Sequence, residues 1–279
     1  MKHIFGKNIE INHGCAIAIG KFDGLHKGHI ALISRLKEVA AQRGLATAVL
    51  SFSPHPASVL SGEGVTLILS PLEKRYLLNQ LGLDYFIEYP FTHEFAQISP
   101  DSFLKNTIRE QLQGKALVVG ENFRFGHKGV GDVVLAKKLG EELGLQVHTV
   151  PLVEHGTIAI SANKIRRAVQ YQEFCTVKDM CGRNFFLMGK VVCGKKRGRE
   201  MGFPTANIIP HENKVLPPPG TYFTETHVDG QTYKSITTVD PSVVETHLKD
   251  FPQKGFSDDL YGHILRVDFL RWKSDSMSH

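Results

Sequence analysis

Between residues 15 and 150, short apolar runs alternate with segments of helical periodicity, and the first of them, Cys15-Ala-Ile-Ala-Ile-Gly20, is apolar at every strand position. A strand that is apolar on both faces has to be covered on both faces, which happens at the centre of a parallel sheet flanked by helices. Ile30, Ile33, Leu36, Val39 and Ala40 then recur at three- and four-residue spacing until Gly44 supplies a stop, predicting one amphipathic helix. Further strands are predicted at 45–52, 85–89, 116–119 and 146–150, and a helix at 133–143. Ser70-Pro71-Leu72-Glu73 reads as N-cap, first-turn proline and capping-box glutamate for a helix ending near Gly82, and Ser99-Pro100-Asp101 opens another ending near Gly114. Five strands alternating with four helices predict an α/β, doubly wound, Rossmann-like nucleotide-binding sheet.

Ser161 is placed to cap one more helix at 163–170, and beyond it helical periodicity fades. Segments 185–192, 222–228, 233–238, 243–248 and 264–270 read as strands separated by turns such as Pro217-Pro218-Pro219-Gly220. A small antiparallel β-barrel is the natural closed form for them. The boundary is expected between residues 172 and 183, giving modules 1–178 and 179–279, which suits a chain of 279 residues.

Hydrophobic residues at 42% and charged residues at 22% exclude a disordered or fibrous chain. No run approaches the roughly 18 apolar residues of a membrane span, and the N-terminus lacks a signal-peptide pattern. Cys15, Cys175, Cys181 and Cys193 form no C-x-x-C pair and fit a reducing compartment, so a cytoplasmic protein is expected. Lysine and arginine number 33 against 28 acidic residues. That mild excess suits phosphorylated small molecules better than nucleic acid, whose binders concentrate charge in a stripe; only 195–199 resembles one.

Gly20-Lys-Phe-Asp-Gly-Leu-His-Lys-Gly-His29 falls where the first strand ends and the first helix begins. Ligands of open α/β sheets bind there, and a helix N-terminus welcomes anions. Gly24 and Gly28 allow close approach of a phosphate, and His26 and His29, three apart, can face one bound group. Two imidazoles donating to phosphate oxygens would stabilise charge building on an α-phosphorus, which points to nucleotidyl transfer. The glycine spacing is neither G-x-G-x-x-G nor Walker A, which argues against a dehydrogenase or a P-loop ATPase. Alone, the two histidines also fit a glycine-rich surface turn, and a zinc site would want a third ligand that is not nearby. Downstream, Gly194-Lys-Lys-Arg-Gly-Arg199 is glycine-rich and basic, a backbone anion nest or a solvated hairpin loop, and Thr205 and Asn207 alternate so that their oxygens reach one side and can hold Mg²⁺.

The pattern from Gly20 to His29 resembles the leading signature of the HxGH nucleotidyltransferases, in the form carried by bacterial FAD synthetases. Ser51-Phe-Ser-Pro-His-Pro56, Gly120-Glu-Asn-Phe-Arg-Phe-Gly126 and Ile160-Ser-Ala-Asn-Lys-Ile-Arg166 resemble that family's later motifs, in the same order. The resemblance implies that His26 and His29 polarise phosphate and that Gly20, Phe22, Asp23, Gly24 and Gly28 surround the nucleotide. It implies flavin contacts from Asn122, Arg124 and Phe125, and a phosphate clamp at Ser161 and Arg166. Ala162 and Asn163 depart from the serine and threonine usual in that clamp. Gly182-Arg, Gly189-Lys-Val-Val and Gly202-Phe-Pro-Thr-Ala-Asn207 resemble the riboflavin kinase module that follows in bacteria. It implies nucleotide contacts at Gly194 and Arg199, Mg·ATP at Thr205 and Asn207, and Glu245 as general base. The family is longer between Tyr233 and Glu245 and continues past Phe269-Leu-Arg into a helix, so a shortened kinase module is expected.

The resemblance thus implies an enzyme of FAD biosynthesis that phosphorylates riboflavin to FMN and adenylylates FMN to FAD, using ATP and Mg²⁺, and no membrane or nucleic-acid partner is expected. The alternatives are an FMN adenylyltransferase with a non-catalytic second module, another HxGH transferase, and a flavin-responsive binding protein acting through 195–199.

Overall fold

A computed structural model of the chain describes residues 1–11, 14–192, 205–249 and 262–270. Their contacts define two compact units, Met1–Val65 with Lys74–Ile160, and Thr66–Glu73 with Ser161–His279.

The first unit holds strands β1 (Lys2–Phe5), β2 (Cys15–Ile19), β3 (Ala46–Ser53), β4 (Tyr85–Pro90), β5 (Gly114–Gly120) and β6 (Gln146–Val150), all parallel in the order β1-β4-β3-β2-β5-β6. Five lie where the apolar runs predict them. The sixth, β1, is an edge strand with only Ile4 buried, so it carries no apolar run to betray it. No residue of β2 is more than 5% exposed, as a strand covered on both faces requires. Chain order reverses at β2, with β3 and β4 on one side and β5 and β6 on the other. The carboxyl ends of β2 and β5 therefore flank the topological switch point.

Helix α1 (Lys27–Arg43) buries Leu32, Ile33, Leu36, Val39 and Ala40 and ends at left-handed Gly44, whose N–H donates to Ala40 O. Helices α2 (Pro56–Ser61) and α3 (Pro71–Asn79) follow; the first turn of α3 counts with the second unit. The Ser70 capping box forms as predicted, Ser70 N donating to Glu73 Oε2 at 2.8 Å and Glu73 N to Ser70 Oγ at 3.3 Å. The helix expected after Ser99 is different in kind. Ser99 caps α4 (Pro100–Ser102), but Phe103–Gln111 then adopts wider π-type turns. Helix α5 (Val133–Leu143) starts on Asp132, which accepts from Leu135 N at 2.9 Å. The hairpin β7 (Glu154–His155) and β8 (Ile158–Ala159) completes this unit.

The second unit contains α6 (Ala162–Gln170), α7 (Phe174–Cys181) and a closed antiparallel barrel of β9 (Phe186–Val192), β10 (Thr205–Ile208), β11 (Gly220–Val228), β12 (Gln231–Val239), β13 (Val244–Leu248) and β14 (Ile264–Phe269), in the order β10-β13-β12-β11-β14-β9. The predicted barrel is present, and β10 is the strand that completes it between β13 and β9. Helix α7 escapes the sequence reading. Its Phe174 packs on Phe185, Tyr222 and Phe269 at ring separations of 6.2, 5.9 and 5.6 Å, and both helices accordingly count with the barrel. The division by contacts thus falls after Ile160, ahead of the segment where periodicity changes.

Inside the barrel, Thr224, Ser235, Thr226, Thr246 and Thr237 close a ring of hydroxyl-to-hydroxyl hydrogen bonds at 2.7, 2.8, 3.1, 3.0 and 2.7 Å. Buried hydroxyls each need a partner, and a cycle supplies every one with a donor and an acceptor. Lys214, with its side chain 1% exposed, donates to Ile68 O (2.6 Å), Glu73 Oε2 (2.7 Å) and Phe186 O (2.9 Å), one acceptor for each N–H of the ammonium. Among the described residues no helix is long and apolar enough to cross a membrane.

Candidate functional sites of the two units

The loop after β2 turns sharply into α1. Phe22 and Asp23 are 0% and 2% exposed, and the backbone passes through positive φ at Phe22, Gly24 and Leu25. His26 occupies the N-cap of α1 without a capping bond from its own side chain, at the helix end whose positive dipole favours an anion. Helical geometry then stacks His29 beneath it, with ring centroids 3.9 Å apart and planes inclined by 27°. Phe22 also packs on His29, with ring centroids 5.0 Å apart and planes inclined by 41°. The expected pair, His26 and His29, thus forms one imidazole stack at a helix N-terminus. A Cβ at Gly20 would meet the Phe22 ring at 3.1 Å, which ties this glycine to the turn.

Asn122, Arg124 and Phe125 follow β5, and β5 lies beside β2 in parallel register. Their loop therefore emerges at the same end of the sheet as His26 and His29. Asn122 and Arg124 are exposed, and Arg124 lies 3.4 Å from Asp132. The Leu135 N–H, and then Arg124, hold Asp132 below the usual carboxylate range. Phe125 is only 6% exposed and packs on Phe103, whereas the half-buried Phe123 stacks on it at 5.2 Å and 11°. Phe123 is the accessible aromatic of this segment. Alternation along an irregular loop gives no warning of that.

Ser161 and Arg166 belong to α6 in the second unit. Ser161 stands at the N-cap but its side chain makes no cap hydrogen bond, contrary to expectation; its ψ of 157° is extended, yet the hydroxyl is not turned onto the helix. Arg166 Nη1 donates to Asn163 Oδ1 and its Nε to Thr66 O, each at 2.6 Å. The amide at 163 thus supplies an acceptor where the motif usually carries a hydroxyl.

On the barrel, the antiparallel register places Asn207 directly opposite Glu245, and Thr205 directly opposite His247. Cβ atoms of such pairs lie about 4.5–5.5 Å apart. Thr205 Oγ1 is 2.9 Å from His247 Nδ1. All four side chains are partly exposed, while Ala206, Ile208, Val244, Thr246 and Leu248 between them are buried, so the four share the outer face. His247 is the member that sequence reasoning missed, because only strand pairing reveals it. The stretch before Glu245 is a tight connection in which Asp240 N donates to Val243 O, and β12 and β13 pair from Val239 and Val244 onward. Gly194 and Arg199 lie outside the described residues. Among those described, no group of three or more His, Cys, Asp or Glu side chains could hold a metal ion. Amide, hydroxyl and carboxylate oxygens on this barrel face are nonetheless the donor types that Mg²⁺ takes alongside phosphate.

The model of the FAD synthetase family matches residues 8–164, and that of riboflavin kinase matches residues 181–278. A bifunctional riboflavin kinase/FMN adenylyltransferase of Escherichia coli (strain K12) is 33% identical over 266 residues, covering 91% of this chain and 82% of that protein. One of the same name from Listeria monocytogenes is 33% identical over 270 residues, 92% of this chain and 83% of that one. Among solved structures, one named as a macrolide-efflux protein from Streptococcus pneumoniae superposes with a TM-score of 0.83 at 26% identity, covering 99% of this chain and 93% of that one.

Proposed function

Because the chain belongs to the FAD synthetase family and carries a riboflavin kinase domain behind it, we propose that it converts riboflavin to FAD in two ATP-dependent steps. In the first, Glu245 takes the proton of the terminal ribityl hydroxyl as that oxygen attacks the γ-phosphorus of ATP, giving FMN and ADP. In the second, a phosphate oxygen of FMN attacks the α-phosphorus of another ATP and pyrophosphate leaves. His26 and His29 donate to the phosphate oxygens on which charge builds, and Arg166 and Ser161 hold the triphosphate. Gly20, Phe22, Asp23, Gly24 and Gly28 shape the nucleotide loop, while Asn122, Arg124 and Phe125 retain the flavin. Thr205 and Asn207, with Gly194 and Arg199 upstream, would hold Mg·ATP for the kinase step, and the metal would neutralise phosphate charge there. Residues 1–178 and 179–279 are the corresponding modules, and a reducing cytoplasm suits the sparse cysteines.

The observation that carries the reading, against an adenylyltransferase with an inert second half, is the register that sets Glu245 opposite Asn207. The brief β12–β13 connection leaves that pair in place. Riboflavin with ATP and Mg²⁺, followed by chromatographic separation, is expected to yield FMN and then FAD, and chelation of the metal to stop the kinase step. FAD formed from supplied FMN but not from riboflavin would remove the kinase assignment; no FAD from either would remove both.

A further inference from the structure

The turn that carries His26 and His29 is held from outside the signature. Phe22 at φ 50° and Leu25 at φ 39° both lie in the left-handed region, with Gly24 at φ 85° between them. Side chains disfavour that region, so two such residues within four positions persist only where their surroundings fix them. Burial of the Phe22 and Leu25 side chains is one constraint. A second acts on the backbone. The carbonyl of Lys21, in the same peptide plane as the Phe22 N–H, accepts from Ser51 Oγ on β3 at 3.1 Å and from Lys74 Nζ on α3 at 3.3 Å. Lys74 is half-buried, and burial pushes its ammonium below the ordinary lysine value while Glu88 and then Asp23 pull the other way. Glu88 is itself only 6% exposed and accepts from His3 Nε2 at 2.6 Å, with Arg75 at 3.9 Å. The Lys74 ammonium thus reaches the Lys21 carbonyl, while the charges of Glu88 and then Asp23 favour its protonated form.

We infer that Lys74 is a positioning residue for adenylyl transfer: it fixes the Lys21 peptide, so that the turn is preset for the triphosphate, and it acts through that turn rather than on substrate. The inference rests on the FAD-forming role proposed above. It is tested with Lys74→Met and Lys74→Arg in the full chain, each assayed for FAD from FMN, for FMN from riboflavin, for thermal unfolding and for hydrogen exchange of the peptide spanning 20–29.

Loss of a charged hydrogen bond at such a turn is expected to lower kcat/KM for ATP in FAD formation by roughly 10- to 100-fold in Lys74→Met. KM for FMN and the rate of riboflavin phosphorylation should stay within about twofold, because the flavin loop and the barrel do not use this carbonyl. Exchange in the 20–29 peptide should accelerate, and Lys74→Arg, which still brings a charged donor, should recover most of the activity. Wild-type kcat/KM and exchange in Lys74→Met would overturn the inference. So would parallel loss of both reactions with the melting temperature, or an arginine variant no better than methionine. Should the unaltered chain make no FAD, the functional reading fails instead, and the exchange of the 20–29 peptide still decides whether Lys74 holds the turn.

Discussion

A Cβ at Gly28 would sit 3.1 Å from the His26 ring, so the glycine in H-x-G-H is the residue that lets the imidazole lie across the first turn of α1. That requirement is legible in the motif; the stacking it permits is not, since it depends on where helix and strand meet. Asn163 is the reverse case. As a letter it is a departure, and in the folded chain it is an acceptor 2.6 Å from Arg166. Cys15, fully buried, donates its thiol to Leu112 O, and burial pushes its pKa up to about 12, in keeping with an unreactive core thiol. Asp84 offers a test at the same scale. The backbone N–H of Thr47 and then its hydroxyl, both 2.8 Å from Asp84 Oδ2, hold this carboxyl below its ordinary value. A depressed folded pKa stabilises the fold above the ordinary value of 3.8, and that contribution disappears as pH falls through the depressed one. Asp84→Ala should therefore melt earlier than the parent at neutral pH, with the gap closing in acid; a gap constant with pH, in melts recorded across the acid range, would refute the assignment.

Among the elements, sequence patterning identified those with strong apolar signatures and, against their unusual polarity, the long barrel strands, while it overlooked short or weakly apolar ones such as β1 and β10. Strand β1 buries one residue, β10 is four residues long, and the polar ring of β11, β12 and β13 puts Thr224, Thr226, Ser235, Thr237 and Thr246 inside while Phe223 is 55% exposed. A strand with threonine inside and phenylalanine outside has the period of a strand but not the usual sign. The capping box at Ser70 was readable, but not the second use of its glutamate. Glu73 Oε1 also accepts from Met188 N at 2.7 Å, and its Oε2 meets Lys214, distant by 141 positions. Removing one partner of a fully buried pair strands the other charge, at a cost of about 3–5 kcal/mol. Lys214→Met is expected to lower unfolding free energy in a denaturant titration by that order, and a change under about 1 kcal/mol would show the pair to be replaceable by packing.

For the whole molecule, the two proposed sites predict separable chemistry. His29→Ala should still convert riboflavin to FMN while FAD formation drops by about 10²–10³, the scale for removing a preorganised donor to developing charge. Glu245→Gln should still adenylylate supplied FMN while riboflavin phosphorylation falls by about 10²–10⁴, the scale for a general base. Loss of both reactions from either substitution, followed by product chromatography, would contradict the assignment of one reaction to each site. The sequence by itself determined the architecture of both halves and the identity of His26, His29, Thr205, Asn207 and Glu245 as candidates, because hydrophobic period, capping residues and short motifs act over a few neighbouring residues. Tertiary structure alone decided that Glu245 faces Asn207, that His247 joins Thr205, that α6 and α7 count with the barrel, and that Lys74 reaches the Lys21 carbonyl. Those relations arise from strand register and from contacts between residues far apart in the chain. No local pattern encodes them, since each depends on how separate elements are brought together by burying their apolar faces.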